Sequence, residues 1–526
     1  MTRFDTRPLL LCALVAAASA SMLSGCTTVG KNYAGAPAAP LPQGAAFARA
    51  GDAALPGQSA EPAASSWWSA LNDPELDSLE QRALHANPSL DVARARLRQA
   101  RAALRQESAS NLPNGSANAT AAHIRFPKNS PLSGGSSSQS SGGGAQSGEA
   151  GGGGGFKLPS SLNLYNVGFD ATWEIDLFGG TRRAVEAARA SAEAAEAGIA
   201  DARVSLAAEV AAAYTNLRSA QQRLALSEGA VVRQQRMVEL TAARFDHGTA
   251  SQLDLTRMQA QLESTRADRE PLLAQVDIYR DELATLIGLA PGALDGELDP
   301  KAAPASNDAS FVPLPPNQVA VGDPAALLRR RPDIRAAERQ LAASNARIGQ
   351  AEAAKFPRLT LLGVIGIGGT RPSDLTHLDN FSAIGAPQLS WNFLDFGRNA
   401  ARVEQAEGAR DEADAQYRQA VLQALRDAED SLARFRQGRV TVATAARAKA
   451  LADKATYLMQ ARQQAGTATL IDVLDTERQQ IAAEQNLAQA QAALTSGFIG
   501  LQKALGLGWE DAAAPTGAAA KAASAP

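Results

Sequence analysis

The sequence predicts a mostly α-helical protein with a membrane β-barrel, assembled from an internally duplicated protomer. Three observations carry that expectation. The chain matches itself at a fixed offset, two long stretches rich in Ala, Gln, Arg and Glu run without proline, and short period-two stretches precede each of them.

Composition sets the frame. The chain has 526 residues, 45% of them hydrophobic and 20% charged, with a net charge of -3. That is enough to build a large folded body, and there is no basic excess of the kind that binds nucleic acid. Much of the hydrophobic content is alanine and aromatics reach only 5%, which favours thin helix-on-helix packing over a thick core. The only cysteines are Cys12 and Cys26, so neither a disulfide nor a CxxC metal site is available to the body of the chain.

Residues 1–25 read as an export signal, with Arg3 and Arg7 ahead of an apolar run from Leu9 to Ala20. The following Leu23-Ser24-Gly25-Cys26 resembles a bacterial lipobox. The resemblance implies cleavage before Cys26 and a diacylglycerol on its thiol, with no other cofactor. By the same sorting rule, Thr27 rather than Asp implies the outer membrane. Residues 26–66 then form a lipid-anchored linker. No run of about 20 apolar residues follows, so no helical membrane span is expected.

The duplication orders the rest. Trp173 falls on Trp391, Phe178-Gly179 on Phe396-Gly397, Gly248-Thr249 on Gly466-Thr467, Asp254 on Asp472 and Gly288 on Gly506, an offset of 391 - 173 = 218. Upstream, NPSL at Asn87 falls on RPDI at Arg331, and Leu112-Pro113 on Phe356-Pro357, an offset of 331 - 87 = 244. The difference, 244 - 218 = 26, is an insertion in the first copy, visible as the Ser/Gly segment 130–155. Such a segment cannot bury enough apolar surface to fold and reads as a solvated loop. The first repeat spans 67–290, a linker 291–324, the second repeat 325–508, and a disordered tail 509–526.

Each repeat opens with a helix, beginning near Asp91 or near Asp333 and ending at Pro113 or Pro357. Strands follow. Val167, Phe169, Ala171, Trp173 and Ile175 alternate with Gly168, Asp170, Thr172, Glu174 and Asp176, and Leu389, Trp391 and Phe393 alternate with Gln388, Ser390 and Asn392. Asn118–Phe126 and Leu359–Ile367 are less regular candidates, giving two hairpins and four strands. A soluble sheet over its own core would alternate in the same way; export and strands of about ten residues suit a transmembrane barrel. Four strands cannot close one, and lipid tolerates no open edge, so several chains must contribute. Beyond Phe178-Gly179 and Phe396-Gly397, helical pattern resumes for some sixty residues, a rod of roughly 100 Å, interrupted only at Gly248 and Gly466.

The stretch from Leu314, LPPNQVAVGDPAALLRRRPDIRAAERQLAASNARIGQAEAAKFPRLTL, resembles the signature of the TolC-like outer-membrane efflux proteins, specifically the NodT-type outer-membrane efflux lipoproteins of tripartite pumps. SWWSALNDPELDSL at Ser66 is similar to the family's N-terminal motif, and IDLFGGTRR and FLDFGRNAARV to its strand-to-helix junctions. The resemblance implies a homotrimer whose chains share a 12-stranded barrel continuous with a long periplasmic α-helical barrel. It implies a passive exit channel in the outer membrane for drugs or other small molecules. Its expected partners are a periplasmic adaptor and an inner-membrane transporter of RND type, with no nucleic acid. The Ser/Gly loop would then lie outside the cell, and Asp170 and Glu174 would line the lumen.

In that architecture GTASQLDL at Gly248 and GTATLIDV at Gly466 are hairpin turns at the periplasmic tip, where the adaptor binds. Glycine supplies the turn conformation, and a Thr or Ser just after it can accept from the first free amides of the returning helix. Gly248, Thr249, Asp254 and Arg257 form the first tip and Gly466 and Thr467 begin the second. By resemblance IDVLD matches the family's inward-facing aspartates, which makes Asp472 and Asp475 the periplasmic gate. Six carboxylates in a trimer would raise one another's pKa and attract cations; an acidic first turn also simply complements the helix dipole. Asp475 corresponds to Arg257, so the first tip is mixed in charge and the second acidic, and a base such as Arg257 could tie the tips together. The family's Tyr and Arg latch positions fall on Gln463 and Ala468, so that part of the pattern is missing.

Catalysis finds little support. His85, His123, His247 and His377 are scattered, and GVIGIGG at Gly363 lacks dinucleotide-binding spacing. With only Met237, Met258 and Met459 beyond the signal, a methionine copper path has none either. The alternatives to a channel are a periplasmic coiled-coil scaffold lipoprotein and a cell-wall hydrolase.

Overall fold

The computed structural model describes residues 28–38, 46–49, 66–125, 161–299 and 312–509. The signal and lipobox with Cys26, most of the linker after it, the Ser/Gly loop and all but the first residue of the tail lie outside them. Within each repeat the same elements recur. The first contains α1 (Pro74–Ala86), α2 (Pro88–Ala109), β1 (Asn114–Arg125), β2 (Ser161–Ile175), α3 (Gly180–Asp246) and α4 (Gln252–Leu286). The second contains α5 (Pro324–Arg330), α6 (Pro332–Ala353), β3 (Arg358–Gly369), β4 (Phe381–Ser390), α7 (Arg398–Gln464) and α8 (Leu470–Ala504). The offsets hold to the residue: α2 to α6 is 332 - 88 = 244, and α3 to α7 is 398 - 180 = 218. α3 and α7 both have 67 residues, and α4 and α8 both have 35.

The chain divides into two compact units. One comprises the chain up to Tyr33 with Ala102–Ala188 and Ser344–Ala409, and it holds the four-stranded antiparallel sheet in the order β1-β2-β3-β4. Pairing places Ala117, Phe169, Ile365 and Ala383 side by side, with Ala119, Val167, Ile367 and Phe381 as the next row on that face. This face is apolar across all four strands yet exposed, with Phe169 61% and Phe381 56% accessible. Ser116 and Asp170 share a row of the other face with Val364 and Ile384, so that row is polar only over the first hairpin, while Glu174, Thr360 and Gln388 make a polar row further along. There the Asn118 amide donates to the Asp170 carboxylate.

Strand boundaries differ from the sequence expectation, and two of the differences have a physical reason. β1 starts at Asn114, four residues before Asn118, because its outward residues are alanines that alternate too faintly to be read. β4 covers Phe381–Ser390, so Trp391 and Phe393 lie past its end. The reason is the partner: the ladder stops at Ser390 opposite Arg358, and Pro357, before it, has no N–H to offer. Trp391 is instead an anchor, its indole N–H donating to Lys355 O at 3.0 Å, as Trp173 donates to Asn111 O at 2.9 Å.

The second unit comprises Ala34–Arg101, Arg189–Ala343 and the chain from Arg410 on. Its core contains alanines such as Ala207, Ala211, Ala424, Ala428 and Ala488, all almost fully buried, which lets helix backbones approach closely. Trp67 meets Phe498 edge-on at 5.9 Å, and Phe435 lies 6.0 Å from the same ring. The helix pairs are also closed off in parallel: Asn87 Nδ2 donates to Leu286 O at 2.7 Å, and its counterpart Arg331 donates to Ala504 O at 3.0 Å. α4 continues through Pro271, where the sequence only suggested the end of a proline-free run. Burial of Leu272 and Val276 immediately after it opposes an intrinsic cost of about 3 kcal/mol.

Candidate gate at the hairpin tips

The first tip joins α3 to α4 in six hydrogen bonds. Gly248, at φ 69°, donates its N–H to Phe245 O at 2.9 Å, and Thr249 N donates to Arg244 O at 2.8 Å. This pair closes the outgoing helix in a left-handed cap that a side chain would strain. Thr249 Oγ1 adds a bond to the same Arg244 carbonyl at 3.0 Å. The returning helix is capped by Ser251: its hydroxyl accepts from Asp254 N at 3.1 Å and donates to Asp254 Oδ2 at 2.7 Å, while Ser251 N donates to that oxygen at 3.2 Å. It is a reciprocal capping box.

The second tip repeats the pattern. Gly466 sits at φ 73° with its N–H on Gln463 O at 3.0 Å, and Thr467 bonds Arg462 O through N at 2.9 Å and Oγ1 at 3.1 Å. Thr469 takes the role of Ser251, accepting from Asp472 N at 3.2 Å and donating to Asp472 Oδ2 at 2.7 Å. The sequence expectation that a Thr or Ser just after the glycine caps the returning helix is met three positions on, by Ser251 and Thr469. Thr249 and Thr467 finish the outgoing helix, and residues 251 and 469 start the next.

The box gives Asp254 and Asp472 a structural role. Donation from Ser251 and Thr469 respectively holds each carboxyl below the usual aspartate range, opposite to the rise expected from crowded carboxylates. That rise would need several chains together. Asp475, one turn further along α8 and exposed, bonds Arg478 at 2.9 Å and Gln479 at 2.9 Å. The second tip is therefore not purely acidic, as the sequence suggested, because Arg478 stands where the first repeat has Ala260. Arg257 and Asp475 do line one groove, of about 840 Å³, together with Met258, Gln261, Ile471 and Arg478. Asp475 is paired there with Arg478.

Cross-helix contacts that no motif announced brace the second hairpin. Lys449 Nζ lies 2.7 Å from Asp453 and 3.6 Å from Glu484, Gln480 Nε2 donates to Asp453 at 2.8 Å, and Thr456 Oγ1 donates to Thr476 O at 3.2 Å. In the first hairpin, Arg266 donates to Gln235 at 3.1 Å. Helical spacing alone could have marked these side chains as facing another helix, but not which one.

A family model described as outer membrane efflux protein matches residues 79–289 and 324–507. The chain belongs to that family. It is 30% identical to the pyoverdine export outer membrane protein OpmQ of Pseudomonas aeruginosa over 93% of this chain and 97% of that one. It is likewise 30% identical to nodulation protein T of Rhizobium leguminosarum bv. trifolii, over 94% and 96%. The solved outer-membrane channel OprN superposes with a TM-score of 0.76 at 31% identity, covering 91% of this chain and 99% of that one. The family, fold and function implied by the motifs at Ser66 and Leu314 stand: the protein is an outer-membrane exit channel of a tripartite efflux system, and not an enzyme. The two matched segments carry one tip each, at 248–254 and 466–472.

Proposed function

We propose that three copies of the chain share one 12-stranded barrel and that Asp472 and Asp475 gate the periplasmic end of the duct. The observation that carries the reading is the sheet. Its apolar face is exposed across all four strands, and among the described residues β1 and β4 each have one edge without a partner, an arrangement lipid allows only once other chains close it. Export and acylation at Cys26 would tether each copy to the outer membrane. The tips would meet a periplasmic adaptor: Leu240 and Leu458 just before the turns, and Leu253 and Ile471 just after, are exposed at matching positions. An inner-membrane transporter of RND type supplies energy and selects the cargo, drugs or other small molecules, while the duct conducts passively.

Of the two aspartates, Asp472 holds its own helix cap, and Asp475 carries the gate charge with Arg478 as its in-chain counterion. Three copies bring six aspartates and three Arg478 counterions around one axis, a net negative ring where cations would collect. Single-channel recording in planar bilayers tests this. Asp472→Ala with Asp475→Ala should raise conductance and abolish block by multivalent cations, with Asp475→Ala alone giving most of the effect. Unchanged conductance and block would sink the gate.

A further inference from the structure

Resting on the reading that several copies close the barrel, we infer that adjoining copies meet at a second seam in which Phe396 of one packs on Leu112 of the next, and Arg105 of the next lies over Ala401 and pairs with Glu404. The argument starts from the seam that each chain contains. Where β2 runs into α3 beside the start of β3, Phe178 stacks on Phe356 with ring centroids 4.6 Å apart and planes 18° apart. One helical turn further, Arg183 is buried and lies flat on Gly349, where an added Cβ would come within 2.9 Å of its guanidinium Nε. Its donors are used: Nε reaches Val29 O at 3.1 Å, Nη2 reaches Gly30 O and Asn32 Oδ1 at 2.8 Å each, and Nη1 pairs with Glu186 at 2.7 Å.

Moving each residue to its counterpart builds the seam that a single chain lacks. The end of β2 becomes the end of β4, so Phe178 maps to 178 + 218 = 396, a phenylalanine. The start of β3 becomes the start of β1, so Phe356 maps to 356 - 244 = 112, a leucine. β4 and β1 are the two free edges, so these residues can meet only across two copies. In one chain Phe396 is 89% and Leu112 63% exposed.

The arginine supplies independent support because it changes sides. Arg183 maps to 183 + 218 = 401, an alanine, and Gly349 maps to 349 - 244 = 105, an arginine. Inside the chain a long cation on α3 rests on a residue without a side chain on α6. Across copies a long cation on α2 would rest on a small residue on α7. Its anion is retained: Glu186 maps to 186 + 218 = 404, a glutamate, exposed on α7 as Arg105 is on α2. The exchange keeps one arginine, one small residue and one glutamate at each seam. It also explains the position of the segment 28–32, which fills the internal seam through Arg183 and finds no such residue at 401.

The test uses the full chain in outer membranes. Leu112→Cys with Phe396→Cys, treated with a short bismaleimide, should give covalent dimers and trimers on a denaturing gel, while either single variant gives monomers. Arg105→Glu and Glu404→Arg should each lower the temperature at which the trimer dissociates, and the double exchange should restore most of the loss. Detergent-stable trimers without cross-linking, or a double exchange no better than the worse single variant, would overturn the seam and leave the trimer intact. Absence of any trimer in the unmodified protein would overturn both.

Discussion

The two hairpin tips have one backbone and two charge patterns. Every main-chain bond of the first, from Gly248 N to the box of Ser251 and Asp254, has its counterpart 218 positions on, with distances that agree within 0.3 Å. Yet Arg257 becomes Asp475 and Ala260 becomes Arg478. The turn itself is held by glycine conformation and by a hydroxyl cap, Ser251 in one tip and Thr469 in the other, which leave little room for variation. The side chains one turn into the returning helix make no hydrogen bond to the turn backbone and are free to diverge. What distinguishes the two tips in function is therefore to be sought at 257, 260, 475 and 478, while the shared octets, Asp472 with its cap included, set the turn.

The largest expected effect tests the scaffold. Gly248→Val and Gly466→Val each force a β-branched side chain into the left-handed region at a site with no neighbouring atom within 4 Å. The cost is then conformational, roughly 1–2 kcal/mol apiece. Thermal or denaturant unfolding should show equal losses at the two tips; a loss at one tip only would break the equivalence. Next come the caps: Ser251→Ala and Thr469→Ala should each cost about 1 kcal/mol, seen locally as faster amide exchange at residues 252–255 and 470–473.

How far the sequence disclosed all this depends on which interactions are local. The tips were legible because a Gly-Thr turn and a capping box are written within eight residues. The duplication was legible because Trp173 and Trp391 or Phe178 and Phe396 are rare enough to align. β1 was blurred because Ala117, Ala119 and Ala121 barely contrast with their polar neighbours. The end of β4 was misplaced because the alternation of Leu389, Trp391 and Phe393 outlasts the partner strand. The cap at Asp472 has a local signature, a carboxylate three residues after Thr469 in the first helical turn, which the resemblance to a pore motif overlies. Arg183 carries no local signal, since its partners Val29, Gly30, Asn32 and Gly349 come from distant stretches and three of the four acceptor groups are backbone or amide oxygens.

A smaller effect separates the tips by charge. Arg478→Ala removes an exposed i,i+3 pair with Asp475, worth about 0.2–0.5 kcal/mol, so stability should hardly move. Channel recordings should move instead. With its counterion gone, Asp475 presents its full charge, and cation block should tighten. Ala260→Arg in the first tip introduces no such partner for an acid, because position 257 is already Arg, and block should stay as it was. Equal responses to the two substitutions would remove the distinction between the tips.

Acid should produce the smallest difference of all, because it acts on what the tips share. Asp254 and Asp472 both titrate below the ordinary aspartate value of about 3.9, held there by donation from Ser251 and Thr469. A carboxyl whose native pKa is depressed stabilises the fold above its unfolded pKa, and loses that contribution as pH falls through the native value. Between pH 5 and 8 both caps are therefore fully formed and pH-independent. Below about pH 4 both should weaken together, with amide exchange at Asp254 and Asp472 rising in parallel. Ser251→Ala and Thr469→Ala remove the donor and should each flatten that dependence at their own tip alone. A Thr469→Ala variant that kept its acid dependence would show that Asp472 is held ionised by something other than its cap, and would return it to the gate on equal terms with Asp475.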